Sequence, residues 1–262
     1  MFKKEKMKKI VFLIGIFGFC IQSINAQIIF NDDTTICTTQ PFLLAAVSST
    51  LDSLNTDDIN TGTQDIGFPF TFYGNIYTKL VVSSNGFVTF DTTNAGGNSA
   101  WVIGTAIPNP GNEPENAIMA PWHDTDPNIG GVIYFGSFGV APNRVYIITW
   151  CAIPMYSGSC NSMISTSQVL LHEGSNKIEM NIQDKPVCLL HNGGQAVQGL
   201  VDATSTNFDI VNDPTSGQPR NFPLPWTATN EGWEFLPNGP TSYTINQIPF
   251  QVPAVGATTW YN

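Results

Sequence analysis

DIGFPFTFYGNIYTKLVVSSNGFVTFD, residues Asp65 to Asp91, places two β-prone runs on either side of a turn signal. Its centre is Asn85-Gly86, flanked by Leu80-Val81-Val82 and Phe87-Val88-Thr89-Phe90. Asn-Gly between two β-prone runs is the strongest short-range hairpin signal, because a type I′ turn needs positive φ at both central residues. With Asn85-Gly86 as a two-residue loop, Ser83 should face Val88 and Val81 should face Phe90. Phe87, Val82 and Leu80 would then share the opposite face. Both faces carry large apolar groups, so the hairpin should be covered on both sides. That is the signature of a central strand pair in an antiparallel β-sandwich.

Working outward, Phe68, Phe70 and Phe72 alternate with Gly67, Pro69 and Thr71, the period-two pattern of a strand with one aromatic face. Pro69 has no N–H to give to a ladder, which predicts an edge strand or a bulge. Downstream, Thr92–Ala100 is a Gly/Asn loop and Trp101–Ala106 a short apolar segment. An apolar run ending in Pro121-Trp122 turns through His123-Asp124-Thr125-Asp126-Pro127-Asn128 and returns as Val132–Phe135. Arg144–Ile153 is a continuous β run that should be buried on both faces. Ser165–His172 and Lys177–Gln183 form a hairpin across Glu173-Gly174-Ser175-Asn176. Gln195–Val201, Phe208–Val211 and Trp233–Leu236 follow. No window sustains a 3.6-residue period, so the expected fold is all-β, an antiparallel sandwich of roughly ten to twelve strands.

The first residues read as an export signal. Lys3, Lys4, Lys6, Lys8 and Lys9 precede the apolar run Ile10–Ile21, and small Ala26 fits a cleavage site. That run is shorter than the roughly 20 residues a bilayer span needs. Cys20 follows bulky Phe19, which argues against a lipoprotein signal. Cleavage near Ala26 would release a secreted chain with no membrane insertion. It would also remove five lysines and Glu5, leaving 5 basic residues against 19 acidic ones. Such a chain does not bind nucleic acid or an anionic membrane by charge.

Four cysteines would remain, Cys37, Cys151, Cys160 and Cys188, and an even number in an exported chain favours disulfides. Cys160 and Cys188 both sit where expected strands give way to loops, and a hairpin between them folds them together. Cys37 with Cys151 is the remaining pair, with buried free thiols as the other reading.

GFPFTFYG, then VVSSNGFVTF, then IMAPWHDTD with GVIYF, resembles the nidogen-like (NIDO) extracellular module. QDKPVC at Gln183–Cys188, NGG at Asn192–Gly194 and WTATNEGWEF at Trp226–Phe235 are similar to the related module in large surface proteins of gliding-type Bacteroidota. The resemblance covers Asp65 to Leu236. It implies a non-enzymatic β-rich module of adhesins, part of a larger gliding-motility or type IX secreted surface protein. The domain reading is a leader over 1–26, an N-terminal strand and loop over 27–64, the module over 65–237, and a linker or following module over 238–262.

Asp124, Asp126 and Asn128 alternate and could offer oxygens to a structural calcium ion, although Asp and Asn also cap turns without any metal. Asp57 and Asp58 read as a solvated face. GxSxG and HExxH motifs are absent, so no catalytic residue is expected. Trp101 and Trp226 border Gly- or Pro-rich loops and are the aromatics expected to contact a ligand. Trp150 should be core. The functional expectation is binding to an extracellular protein or polysaccharide surface through Thr92–Ala100, Asp124–Gly130 and Ser157–Met163. A lectin-like module, calcium-dependent or not, and a passive spacer are the alternatives.

Overall fold

The computed structural model describes residues 51–112 and 114–253, which include Asp65 to Asp91. Cys37, the expected export signal over 1–26 and residues 254–262 lie outside the described residues. The fold is all-β, two antiparallel sheets packed face to face and not closed into a barrel.

The seven-stranded sheet runs in the order β1 (Asp52–Leu54), β6 (Val132–Phe138), β7 (Val145–Pro154), β8 (Ile164–His172), β9 (Ile178–Lys185), β12 (Ala228–Pro237) and β13 (Tyr243–Ile248). The six-stranded sheet runs β11 (Phe208–Ile210), β10 (Val197–Val201), β5 (Ala117–Trp122), β4 (Phe87–Thr89), β3 (Asn75–Val82) and β2 (Gln64–Phe72). The described residues hold thirteen strands against the ten to twelve expected; the short edge strand β1 has no run long enough to declare itself, whereas β11 falls on the expected Phe208–Val211.

The core lies between the sheets. Phe70, Phe72, Leu80, Val82, Val88 and Phe90 meet Ile148, Trp150, Val169, Met180 and Phe235 there. Period-two alternation explains who points inward. Along β2, Ile66, Phe68, Phe70 and Phe72 are buried while Asp65, Gly67 and Pro69 are exposed. Pro69 sits on an edge strand that also shifts register between Asp65 and Phe70, so both outcomes its missing N–H allows are realised.

The hairpin at Asn85-Gly86 exists, but its register differs from the two-residue turn. Val82 pairs with Val88 and Val81 with Thr89, while the Ser83 N–H donates to the Phe87 carbonyl at 2.9 Å. The loop is therefore Ser84-Asn85-Gly86, with Gly86 at φ +82° and Asn85 not at positive φ. A three-residue loop closed by a left-handed glycine replaces type I′. That slip of one residue puts Val82 on the same face as Val88, in the central core, and sends Phe87 to the other side. There Phe87 packs with Ile103, Ile107, Met119, Trp122 and Val197. The hairpin is indeed covered on both faces, the outer cover being the loop after β4.

The segment after Pro237 is part of the same body. Asn238-Gly239-Pro240 lies in the turn of a hairpin in which β13 pairs with β12 from Pro237↔Tyr243 to Gly232↔Ile248. Tyr243 is in the central core. What reads as a linker is the last turn of the sandwich, since a polar Asn-Gly-Pro run serves either purpose.

Candidate functional site

The β3–β4, β5–β6, β7–β8 and β9–β10 connections all leave one end of the sandwich, and Asn85 holds them together. Its side chain is fully buried. Its amide donates to Asp58 Oδ1 at 2.9 Å and to Ser99 Oγ at 3.2 Å, and its Oδ1 accepts from the Thr125 N–H at 3.0 Å. One side chain thus ties the segment before β2, the loop after β4 and the turn after β5. Its backbone carbonyl accepts from the His123 N–H at 3.1 Å. Trp150 adds a strut from the other sheet, its indole N–H donating to the Ser83 carbonyl at 2.9 Å.

On this frame the carboxylates converge. Asp57, Asp58 and Asp124 each place one oxygen within 4.8 Å of the others. Asp57 and Asp58 are half-buried rather than a solvated face, because Ile59 and Asn60 bridge to Asn98 and Ser83 and draw the segment inward. Asp124 accepts a 2.6 Å hydrogen bond from, or shares a proton with, His191 Nε2. Burial, with Asp58 and Asp126 adding repulsion, pushes the Asp57 carboxyl up to about 6. Burial also raises Asp124, against the pull of His191 and with Asp58 and Asp57 adding to it, to about 7.

The alternating set Asp124, Asp126 and Asn128 does not close on itself. Asp126 Oδ1 accepts from the Asn128 N–H at 3.0 Å, and Asn128 is exposed. These two residues make turn chemistry, and only Asp124 of the three joins the carboxylate group. His123 is buried beside Ser165 as a packing residue, its imidazole kept neutral first by burial and then by the Lys185 charge.

Aromatic rings surround the acids. Trp101 is 38% exposed and stacks on His191 at 6.1 Å between ring centres, while Tyr156 meets His191 at 4.8 Å. Beside Trp101, a groove of about 660 Å³ runs past Asn98, Thr105, Asn109, Asn112 and Trp122. Trp226 is placed differently from the expectation. It is 7% exposed, its N–H donates to the Ala196 carbonyl, and Lys185 and Arg220 lie over its ring at 4.7 and 4.4 Å. A Pro-rich loop beside Trp226 looked open in sequence, but the ring serves as the platform for a buried cation stack that continues to Trp233.

Cys160 and Cys188 are joined, with 5.9 Å between their Cα atoms, and pack with Met155 beneath the loops. Cys151 is also disulfide-bonded, while Cys37 lies outside the described residues. His191 follows three residues after Cys188, so the disulfide fixes the chain that brings the imidazole to Asp124. Sequence reasoning missed Asp57, Asp58, His191 and Tyr156 as members of one site. The separations are too long for any motif, and only the turn signal at Asn85 marked their meeting point.

These observations define a β-sandwich module that presents a loop cluster, acidic at its centre and aromatic at its rim. The family model described as NIDO related matches residues 35–244, and the chain belongs to that family. It is a nidogen-related module, of a kind typically found outside cells. No curated protein and no solved structure matches it. Among the described residues no helix is long and apolar enough to cross a membrane.

Proposed function

We propose that this chain is a non-enzymatic extracellular adhesion module that binds a protein surface through the loop end of its sandwich. The observation that carries this reading is the placement of exposed apolar side chains. Trp101, Val102, Ile129, Tyr156, Met163, Leu189 and Leu190 all stand on the connections that meet at this end. Leu190 is 80% exposed and Leu189 66%. Scattered apolar residues need no explanation, but a set gathered on rigidly held loops marks an interaction site. The disulfide and the Asn85 hydrogen bonds give those loops their rigidity, which lowers the entropy cost of docking. Membership in a larger gliding-motility or type IX secreted surface protein belongs to the same proposal and rests on the Gln183–Cys188 and Trp226–Phe235 motifs.

A second reading, carbohydrate capture, is favoured by one observation: the exposed Trp101 ring beside a groove lined by Asn98, Asn109 and Asn112 amides. The deciding experiment applies the fluorescently labelled chain to immobilised extracellular proteins and to polysaccharides. Saturable binding to a protein surface is the expected result. Binding to polysaccharide alone, with quenching of Trp fluorescence, would transfer the assignment to the second reading, and no binding to either would end both.

A further inference from the structure

Among the described residues, no Lys or Arg forms an ion pair with the carboxylate group at the loop end. Arg144 is paired with Glu173, Lys177 with Glu179, and Arg220 with Asp213 and Glu231. Lys185 donates to the Trp226 carbonyl. Among the described residues, His191 is the base that pairs with the three acids, through Asp124 Oδ2. The Asp124 side chain is 5% exposed, yet its second oxygen, Oδ1, is closed from solvent and accepts no hydrogen bond. Asp57 Oδ1 is in the same condition. A buried carboxylate oxygen without a donor is costly, and it is more so where it faces other carboxylates.

We propose that Asp57, Asp58 and Asp124 bind a calcium-class divalent cation, which clips the segment before β2 to the turn after β5. The donor set is all oxygen, which selects a hard cation and excludes thiophilic metals. Size then discriminates within that class. Calcium–oxygen distances of 2.3–2.6 Å allow ligands on one ion to stand up to about 5 Å apart, whereas magnesium allows about 4.2 Å. Oxygens within 4.8 Å of one another fit the larger ion with little movement. Three carboxylates leave further coordination positions for water or carbonyl oxygens, as calcium accepts six to eight ligands. Asn85 positions Asp58, and His191 orients Asp124 by holding its other oxygen. This set differs from the alternating Asp124, Asp126, Asn128 pattern of the sequence. It does not depend on what the loops bind.

The test is calorimetric titration of the chelator-stripped full chain with calcium chloride and, separately, magnesium chloride. Terbium luminescence excited through tryptophan serves as a second readout, since Trp101 stands at the rim. We expect one saturable calcium site with a Kd of about 10⁻⁴–10⁻³ M, the range of extracellular modules, and weaker magnesium binding. Asp57→Asn and Asp124→Asn should each weaken calcium roughly tenfold or more, while Asp65→Asn, at an exposed position on β2, should leave it unchanged. Absence of saturable binding up to about 10 mM calcium in the wild-type chain would overturn the proposal. So would equal affinity in Asp57→Asn, which keeps the half-buried position filled should Asp124→Asn fail to fold.

Discussion

The side-chain amide of Asn85 donates to the carboxylate of Asp58 across 27 positions of sequence, at 2.9 Å. The same Asn85 side chain joins Asp58 to the loop after β4, through Ser99, and to the turn after β5, through Thr125. Asn85→Ala would leave Asp58, Ser99 and the Thr125 N–H without their shared partner inside the protein. A stability loss of about 2–4 kcal/mol is expected in denaturant unfolding. Asn85→Asp should cost at least as much, since it replaces a donor with a charge facing Asp58.

Gly86 meets two independent constraints. Its φ is +82°, and a Cβ there would lie 1.9 Å from the Pro121 carbonyl oxygen. That carbonyl belongs to β5, so relief would require separating neighbouring strands of the six-stranded sheet. Gly86→Ala is expected to destabilise by about 4 kcal/mol, or to prevent folding, as read by circular dichroism and melting temperature. Gly62, which has open space where its Cβ would stand and no positive φ, is the control and should tolerate alanine.

Arg220 tests the cation stack. It is fully buried, donates to Gln198, Asp213 and Glu231, and lies over Trp226 and Trp233. Lysine keeps the charge but loses the planar fork and the stacking, so Arg220→Lys should cost about 2–3 kcal/mol. Arg220→Leu, which strands two carboxylates, should cost about 3–5 kcal/mol. Melting curves of the two variants rank them.

The carboxylate group predicts an unusual pH response in chelator-containing buffer. Asp57 is raised to about 6 and Asp124 to about 7 from the ordinary 3.8, in both cases first by burial. Between 3.8 and those values the folded state holds protons that the unfolded chain has released. Stability therefore falls as pH rises from about 4 to about 7, and is regained on acidification through that window. Melting temperatures across the window should show this slope, and Asp57→Asn should flatten it.

How much of this was legible in the sequence differs from element to element. Phe68-Pro69-Phe70 announced an edge strand because alternation and a missing N–H are local facts. Asn85-Gly86 announced a turn for the same reason. The turn type was not legible, because the three-residue loop is held by the neighbouring strand β5 and the turn after it, whose Ala120 and His123 N–H groups donate to the Gly86 and Asn85 carbonyls. Asp57 and Asp124 are 67 positions apart, and a carboxylate's partners across such a distance leave no mark in the local pattern. Trp101 and Trp226 stood in similar loops, and their opposite fates followed from where Lys185 and Arg220 were placed by β9 and by the chain before β12. Cys160 and Cys188 were legible as a pair because a single hairpin joins them.

Docking of a partner on the loop end can be measured by surface plasmon resonance with paired variants. Trp101→Ala and Leu190→Ser change the loop end, while Ile76→Ser and Val140→Ser change exposed apolar residues at the other end of the sandwich. Each variant, checked for an unchanged melting temperature, would be passed over the extracellular protein surface that retains the wild-type chain. The account predicts that the first pair loses roughly tenfold or more in affinity and the second pair binds as wild type. Wild-type affinity in both loop-end variants, or losses confined to Ile76→Ser and Val140→Ser, would contradict it.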